Sequence, residues 1–422
     1  MLSFLNPLPR LPEYTGPEKV GTAEYELSLS SLGFECIPEQ LPASTIKFRI
    51  FYPARLSADA AFGVPWLPQP QTAHLGAYLR MARLEPWLSK ILLSVPFYLR
   101  STMMPAYKNA ALQCEDGPLP VLIFSHGLVG GMNSHSALLG ELASRGIFCV
   151  AIDHRDGSGV LSLARREGSK VPNEQPTEIT SVYFKNVSLK IRPGVWEARD
   201  RQFEIRLFEL MATYKALGLL NEGKHIANLA DDPGNMNVIP SSSLNLNPGE
   251  VIWAGHSFGG ATMVQFIKTI YHESRLQGVK QESDAAFPEH SLLLQPAPRS
   301  LVEQIKATSP VILLDPWFMP LRSPRTKWLN LEAPSMPRRN IRSGIWTDVD
   351  YDRCALIRMC VALAASAFTY ASGPRGRATD NQDRDGSRNS HLVREFHLAT
   401  TLHERVEKAE WELREDRKGR KK

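Results

Sequence analysis

One segment of this chain constrains its fold more than any other, because an apolar strand pattern runs directly into a glycine-flanked serine. Residues 251–254 (VIWA) precede Gly255-x-Ser257-x-Gly259, and helix-forming residues follow. A serine at such a sharp turn has a strained backbone, so only glycine fits two residues before and after it. The helix dipole behind the turn favours developing negative charge. The segment therefore predicts that Ser257 is a nucleophile rather than part of a structural turn.

The composition indicates a folded chain with a large core. Apolar residues make up 43% of the 422 residues, which is too many for a disordered chain. No linker-like break precedes residue 372, so we expect one domain over residues 1–372. Residues 54–118 are rich in proline and aromatic side chains and are predicted to be an insertion in it. Residues 373–422 turn polar and charged, which is typical of a surface or partly disordered segment.

Charge and cysteine content argue against several classes of function. The net charge is +5 and much of the excess lies in residues 414–422, with no basic face interleaved with aromatics to indicate a nucleic-acid partner. The five cysteines lack CxxC spacing, which argues against a disulfide framework or a metal site. The sequence shows no signal peptide and no apolar run near the ~20 residues that cross a bilayer. We therefore expect a cytoplasmic protein that needs no metal and no cofactor.

The order of strand and helix patterns predicts a mostly parallel sheet. An apolar run leads into a glycine-rich loop, a helix and a second buried strand, which together form a parallel βαβ unit. Joined to the strand-turn-helix around Ser257, this order predicts an α/β-hydrolase fold, with a mostly parallel central sheet flanked by helices and with insertions. The expected strands lie at 44–52, 119–124, 147–152 and 311–314, and the expected helices at 136–144, 197–219 and 258–271.

A nucleophilic serine needs a base and an acid that orients the base, and in this fold they follow in the order serine, acid, histidine. Asp315 ends the apolar run 311–314, where parallel strands present functional groups. The alternative is that Asp315 only caps the turn with Pro316. Acyl transfer also needs two N–H groups for the oxyanion. We expect these from Phe258, directly after the nucleophile, and from Leu128.

His126 lies in the loop that carries Leu128, so it could be mistaken for the base. It precedes the serine, however, and this is the wrong loop for the base in such a fold. We expect His126 to brace the loop structurally.

Four motifs in order carry a family resemblance: FSHGLVGG, AIDHRDGSG, GHSFGGATMVQF and LLDPWFMPL, together with the opening YTGP. Over roughly residues 12 to 321 the chain resembles the platelet-activating factor acetylhydrolases, the lipoprotein-associated phospholipase A2 group, and in particular their fungal-type members. The resemblance implies a Ser-Asp-His triad that removes a short or oxidised sn-2 acyl group from a phospholipid without calcium. Carried over by position, the nucleophile is Ser257, the acid Asp315, and the oxyanion donors Leu128 and Phe258.

The histidine of the triad is less clearly marked. The family has a segment like N-S-A-H-L followed by S-D-F, whereas this chain has Asn389-Ser390-His391-Leu392 without the second run. The resemblance implies His391 as the base. His397 and His403 are rivals, and the absence of any functional histidine is the remaining alternative.

The expected activity is therefore hydrolysis of platelet-activating factor-like phospholipids. Two alternatives stay open: a soluble carboxylesterase or thioesterase acting on non-lipid substrates, and a catalytically dead scaffold that binds lipid. Residues 87–100 are apolar and aromatic but too short to span a bilayer, with Lys90 and Arg100 available for headgroups. They predict peripheral membrane contact, and the alternative is a helix packed on the core.

Overall fold

A computed structural model of the protein describes residues 11–35, 39–81, 101–165, 179–230, 238–273, 292–306 and 308–327. Several sequence predictions fall outside these residues, namely His391, His397, His403, the segment 87–100 and the C-terminal segment 373–422. They stay predictions. Among the described residues no helix is both long and apolar enough to cross a bilayer.

A mixed β-sheet lies at the centre of the described residues. Its strands are β1 (Val20–Ser28), β2 (Thr45–Arg55), β3 (Phe62–Pro65), β4 (Met103–Lys108), β5 (Ala111–Leu112), β6 (Leu119–Ser125), β7 (Phe148–Ile152), β10 (Leu244–Asn245), β11 (Ile252–His256) and β12 (Val311–Leu314). A separate hairpin pairs β8 (Leu161–Arg165) with β9 (Ile179–Tyr183).

The strand order identifies the fold. The main sheet runs β12-β11-β6-β7-β2-β1-β4-β3, with β10 beside β6 and β5 beside β2. The strands β12, β11, β6 and β7 are parallel, while β2 is antiparallel to both β7 and β1. Parallel strands joined by helical crossovers, with one antiparallel strand near the start, form the sheet of the α/β-hydrolase fold. The predicted fold class is confirmed.

The predicted insertion contributes to this sheet. Within residues 54–118, β4 pairs in parallel with β1, and β3 pairs antiparallel with β4, so both strands extend the sheet beyond β1. The same stretch contains helix α1 (Gln71–Met81).

The parallel strands are buried because helices cover the sheet. These helices are α2 (Ser136–Ala143), α3 (Val195–Asn221), α4 (Phe258–Tyr271) and α5 (Arg299–Gln304), and a short 3-10 helix follows at Met319–Arg322. The apolar positions predicted for α3 are buried, among them Phe203, Leu207 and Leu210. Helix α3 also buries charged residues, among them Arg206 and Glu209. The apolar pattern used to predict this helix does not predict their burial.

The strand β2 has polar positions that alternate with apolar ones, yet both of its faces are buried. Its basic side chains form ion pairs with β1: Lys47 Nζ lies 2.8 Å from a Glu24 carboxylate oxygen, and Arg49 Nη2 lies 2.6 Å from the other. Buried charges persist only where they are paired. The alternation of β2 therefore marks a charged layer inside the protein rather than a solvated face.

Candidate active site

Ser257 lies at the turn between β11 and α4. Its backbone has φ 52° and ψ −116°, a conformation that residues other than glycine rarely adopt. The turn is fixed because the Gly260 N–H donates to the Ser257 carbonyl oxygen at 3.0 Å. The side chain of Ser257 is half-buried. This strained, partly accessible serine matches the geometry that the sequence predicts.

The glycines around Ser257 are required by close backbone contacts. A Cβ atom placed on Gly255 would lie 2.3 Å from the carbonyl oxygen of Gly259, and one on Gly259 would lie 2.0 Å from the carbonyl oxygen of Ser125. Both distances are far below van der Waals contact. The two glycines therefore allow β6, β11 and α4 to meet tightly beneath the serine.

The loop after β12 is tied to Ser257 on both sides of Asp315. The Ser257 N–H donates to the Leu314 carbonyl oxygen at 2.9 Å, and the Trp317 N–H donates to the Ser257 carbonyl oxygen at 2.9 Å. Asp315 itself has φ 39° and is exposed. Among the described residues no group hydrogen bonds to its carboxylate. Asp315 is thus held next to Ser257 with its carboxylate open to a further partner.

The loop after β6 passes directly beside Ser257. A Cβ atom on Gly127 would lie 3.0 Å from Ser257 Cβ, so a side chain at Gly127 would crowd the serine. Leu128 follows Gly127, and Phe258 is the first residue of α4, where helical N–H groups have no partner within the helix. Within the described part of the chain, neither the Leu128 N–H nor the Phe258 N–H donates to a protein acceptor. These are the two free donors that an oxyanion requires.

His126 braces this loop and is not placed as a base. It is fully buried, and its Nε2 accepts the His154 N–H at 3.2 Å, so the ring proton lies on Nδ1 and is donated to the Gly127 carbonyl oxygen at 2.8 Å. Burial and the neighbouring Arg206 lower the pKa of His126 to about 4, which keeps the ring neutral. The structure agrees with the bracing role expected from the sequence.

A second buried histidine joins this loop to α3. His154 Nε2 lies 2.8 Å from Ser125 Oγ, and His154 Nδ1 lies 2.7 Å from Glu209 Oε2. Burial lowers the pKa of His154 well below its usual range and raises the pKa of Glu209 to about 8, with Asp156 adding to the rise. The pair is therefore a neutral hydrogen bond near pH 7, in which Glu209 donates to His154.

Arg206 of α3 connects both sides of the site. Its Nε lies 2.7 Å from an Asp156 oxygen, and its Nη1 donates to the His126 carbonyl oxygen at 2.9 Å. Its guanidinium carbon also lies 4.5 Å from the centre of the Phe258 ring. One buried cation thus contacts both the loop that carries Leu128 and the side chain of Phe258.

These supporting residues of α3 are not among the site residues predicted from the sequence. Arg199, Arg206 and Glu209 fall on the buried side of a helix judged only by its apolar residues. The sequence does contain a signal for them, because positions 199, 203, 206 and 210 lie three or four residues apart and so share one face of the helix. Arginines and apolar residues alternate along this face. Charged residues on an otherwise apolar helical stripe indicate a buried polar network.

The structure brings four of the five predicted site residues to one edge of the sheet: Ser257, Asp315, Leu128 and Phe258. The fifth, His391, lies outside the described residues, as do its rivals. In the part of the chain that the structure describes, no cluster of His, Cys, Asp and Glu side chains could hold a metal ion.

Comparison with known families places the chain. The family model described as "Platelet-activating factor acetylhydrolase, isoform II" matches residues 5–334. The chain belongs to this family. The resemblance carried by the four sequence motifs is thereby confirmed.

Curated relatives and solved structures match over part of their length. The chain is 33% identical over 264 residues to "Putative phospholipase A2" of Schizosaccharomyces pombe, covering 60% of this chain and 58% of that protein. It is 29% identical over 175 residues to the platelet-activating factor acetylhydrolase of Gallus gallus, covering 40% of each chain. The chain thus spans about half the length of the curated relatives it matches. The solved structure of a ferulic acid esterase from Streptomyces cinnamoneus aligns over 61% of this chain and 58% of its own. The two share 18% sequence identity with a TM-score of 0.34.

Proposed function

We propose that this protein is a carboxylic-ester hydrolase that removes the acetyl or another short acyl group from the sn-2 position of platelet-activating factor-like phospholipids. The observation that carries the proposal is Ser257 in its strained turn, hydrogen bonded to the residue before Asp315 and next to the segments that carry the free Leu128 and Phe258 N–H groups. Family membership supports a phospholipid as the substrate class. Both the activity and the substrate are proposals for this chain.

The chemistry follows from these groups. Ser257 Oγ attacks the sn-2 carbonyl carbon and loses its proton to a histidine, for which we propose His391. Asp315 orients that histidine and stabilises its charged form. The oxyanion accepts hydrogen bonds from the Leu128 and Phe258 N–H groups. The histidine then gives its proton to the departing lysophospholipid, and water releases the acyl group by the same steps.

The proposal includes independence from calcium. The two backbone N–H groups and the N-terminal end of α4 supply the positive potential that the oxyanion needs, so this route assigns no role to a bound cation. Hydrolysis of a short-chain phospholipid should therefore be the same in excess chelator as in added calcium. A rate that depends on calcium would contradict this part of the proposal.

The decisive experiment compares the wild-type protein with Ser257→Ala. A fluorophosphonate probe should label the wild type covalently and leave the variant unlabelled, because only an activated serine reacts. Hydrolysis of a 1-alkyl-2-acetyl phosphocholine should fall by ~10⁶ in the variant, with an unchanged thermal midpoint. Substantial hydrolysis by Ser257→Ala would refute the assignment.

The same assay separates the proposal from its rivals. Activity on an aryl acetate without activity on the phospholipid would indicate a non-lipid esterase. An unlabelled wild-type protein would indicate a catalytically dead scaffold.

A further inference from the structure

A short turn of unusual composition lies close to the candidate active site. We define the basic-apolar turn as residues 185–192 (KNVSLKIR), between β9 and α3. Leu189 and Ile191 are 65% and 55% exposed, the highest values among large apolar side chains in the described residues. Exposed apolar side chains that cluster in one turn indicate a binding surface more strongly than scattered ones.

The backbone of this turn is held in place by hydrogen bonds. Ser188 Oγ accepts the Lys190 N–H at 3.1 Å and donates to the Lys190 carbonyl oxygen at 3.0 Å. The Val187 carbonyl oxygen accepts a hydrogen bond from Arg199 Nη2 at 3.0 Å. Leu189 and Ile191 are therefore presented to solvent by a fixed turn.

Cationic side chains alternate with these apolar ones. Lys185, Lys190 and Arg192 are all exposed, and none of them forms an ion pair with an acidic side chain among the described residues. Long basic side chains beside exposed aliphatic ones suit the boundary between phosphate headgroups and acyl chains. The uncompensated charge favours an anionic surface over a neutral one.

The turn is connected to both proposed oxyanion donors. The Lys185 N–H donates to the Gly157 carbonyl oxygen at 2.7 Å, and the carbonyl oxygen of the next residue, Ser158, accepts the N–H of Val129, which follows Leu128, at 2.7 Å. On the other side Arg199, which holds Val187, has its guanidinium carbon 5.4 Å from the Phe258 ring centre. The turn is thus linked through direct contacts to the segments that carry Leu128 and Phe258.

We propose that the basic-apolar turn is a docking surface for anionic phospholipid membranes, with Leu189 and Ile191 entering the acyl boundary and Lys190 and Arg192 contacting headgroup phosphates. The choice of a lipid surface rests in part on the proposed phospholipid hydrolase function. The turn is separate from residues 87–100, for which membrane contact is a prediction from sequence alone.

The test measures vesicle binding in the full chain carrying Ser257→Ala, so that no lipid is consumed. Flotation is compared for vesicles of phosphatidylcholine with and without phosphatidylserine. We expect binding to the mixed vesicles to exceed binding to pure phosphatidylcholine. In the same background Leu189→Ser with Ile191→Ser should weaken partitioning by at least ~10-fold. Lys190→Gln with Arg192→Gln should weaken it by ~25-fold, about fivefold per charge, on the mixed vesicles only.

Matched controls separate a local effect from a general one. Leu56→Ser removes an apolar side chain that is 37% exposed elsewhere. Lys224→Gln with Arg299→Gln removes the same net charge from residues that pair with Glu222 and Glu303. Both controls should float like the parent protein, and all variants should keep its thermal midpoint.

Several outcomes would overturn the inference. These are a parent protein that does not float, turn variants that float unchanged, or controls that lose as much binding as the turn variants. A change in oligomeric state caused by Leu189→Ser with Ile191→Ser, without a change in flotation, would assign the turn to a second copy of the chain. Failure of the proposed hydrolase function would show differently, as an unlabelled Ser257 in a protein that still floats.

Discussion

His126 donates from Nδ1 to the carbonyl oxygen of Gly127 at 2.8 Å, and this bond, together with a longer one from the Gly130 N–H at 3.3 Å, sets the direction of the next N–H group. The Gly127 carbonyl and the Leu128 N–H belong to one planar trans peptide, so they point in opposite directions. Fixing the oxygen therefore fixes the proposed oxyanion donor. A neutral, buried imidazole in this position acts on the reaction through the backbone.

His126 variants should therefore change the rate more than substrate binding. His126→Leu loses the shorter of the two hydrogen bonds to the Gly127 carbonyl oxygen, and we expect kcat to fall by up to ~10² to 10³ with KM nearly unchanged, as for the loss of an oxyanion contact. His126→Asn keeps an N–H donor on a shorter side chain and should recover part of the rate. Steady-state kinetics on a soluble acetate ester measures both. An effect confined to KM, or no difference between the two variants, would argue against this role.

Glu209 should tolerate one substitution and not another. Its Oε1 accepts the Arg155 N–H at 2.9 Å, and its protonated Oε2 donates to His154 Nδ1. Glu209→Gln reproduces one acceptor and one donor, so the free energy of unfolding should change by less than about 1 kcal/mol. Glu209→Ala leaves both buried partners unsatisfied and should cost about 3 kcal/mol. Urea unfolding of both variants checks this, and an equally large loss in Glu209→Gln would mean that the pair is ionic.

The same residue gives a pH dependence of stability. The pKa of Glu209 is raised from 4.5 to about 8 in the folded protein. The stabilisation that protonated Glu209 gives the folded protein is therefore complete below pH 4.5 and is lost as the pH rises through 8. The reason is that the unfolded chain releases this proton at a lower pH than the folded protein does. We expect the drop in unfolding free energy between pH 5 and pH 8 to be smaller in Glu209→Gln than in the wild type. Parallel profiles would contradict the raised pKa.

Gly259 should be intolerant of alanine. The added Cβ would lie 2.0 Å from the Ser125 carbonyl oxygen, so β6 or α4 must move. We expect a loss of at least about 2 kcal/mol in stability and of nearly all fluorophosphonate labelling. Gly76→Ala is the matched control, because no atom lies within 4 Å of its added Cβ and the position is in helix α1. It should leave stability equal or higher and activity unchanged.

Asp315 and the C-terminal histidines can be tested together. Asp315→Asn should keep the shape of the loop and remove the charge that orients the base, with a loss in kcat of ~10⁴ by analogy with other serine triads. His391→Ala should be comparably damaging, while His397→Ala and His403→Ala should be nearly silent. The measured quantity is kcat on a soluble ester. If His397→Ala is the inactivating change, the match of the C-terminal segment to the family is misaligned.

Local sequence patterns are sufficient for the parts of this fold that are continuous in sequence. The apolar runs of β6, β7, β11 and β12 and the turn at Ser257 each lie within a few neighbouring residues, so their periodicity and glycines identify them. The strands β3 and β4 within residues 54–118 are different. Each contains a proline, Pro65 or Pro105, and β3 pairs through an irregular register, so no clear alternation marks them.

The polar network beneath the site could not be found in this way. Arg206 contacts Ser125 and His126 from 81 and 80 positions away in the sequence, and Glu209 contacts His154 from 55 positions away. The pattern of residues in a single sequence shows the spacing of side chains along one helix or strand. It does not show which helices and strands pack against each other. The spacing of charged residues in α3 can indicate a buried network, but the partners of those residues become visible only once the sheet order is known.

The backbone of Ser257 also limits which nucleophiles evolution could place at this turn. At φ 52° a β-branched side chain such as threonine would collide with its own backbone, whereas serine, cysteine and aspartate carry a single heavy atom on Cβ. An enzyme with a cysteine or aspartate nucleophile could thus arise here from a single amino-acid substitution, without a change in the main chain. Threonine-dependent chemistry would require a different turn.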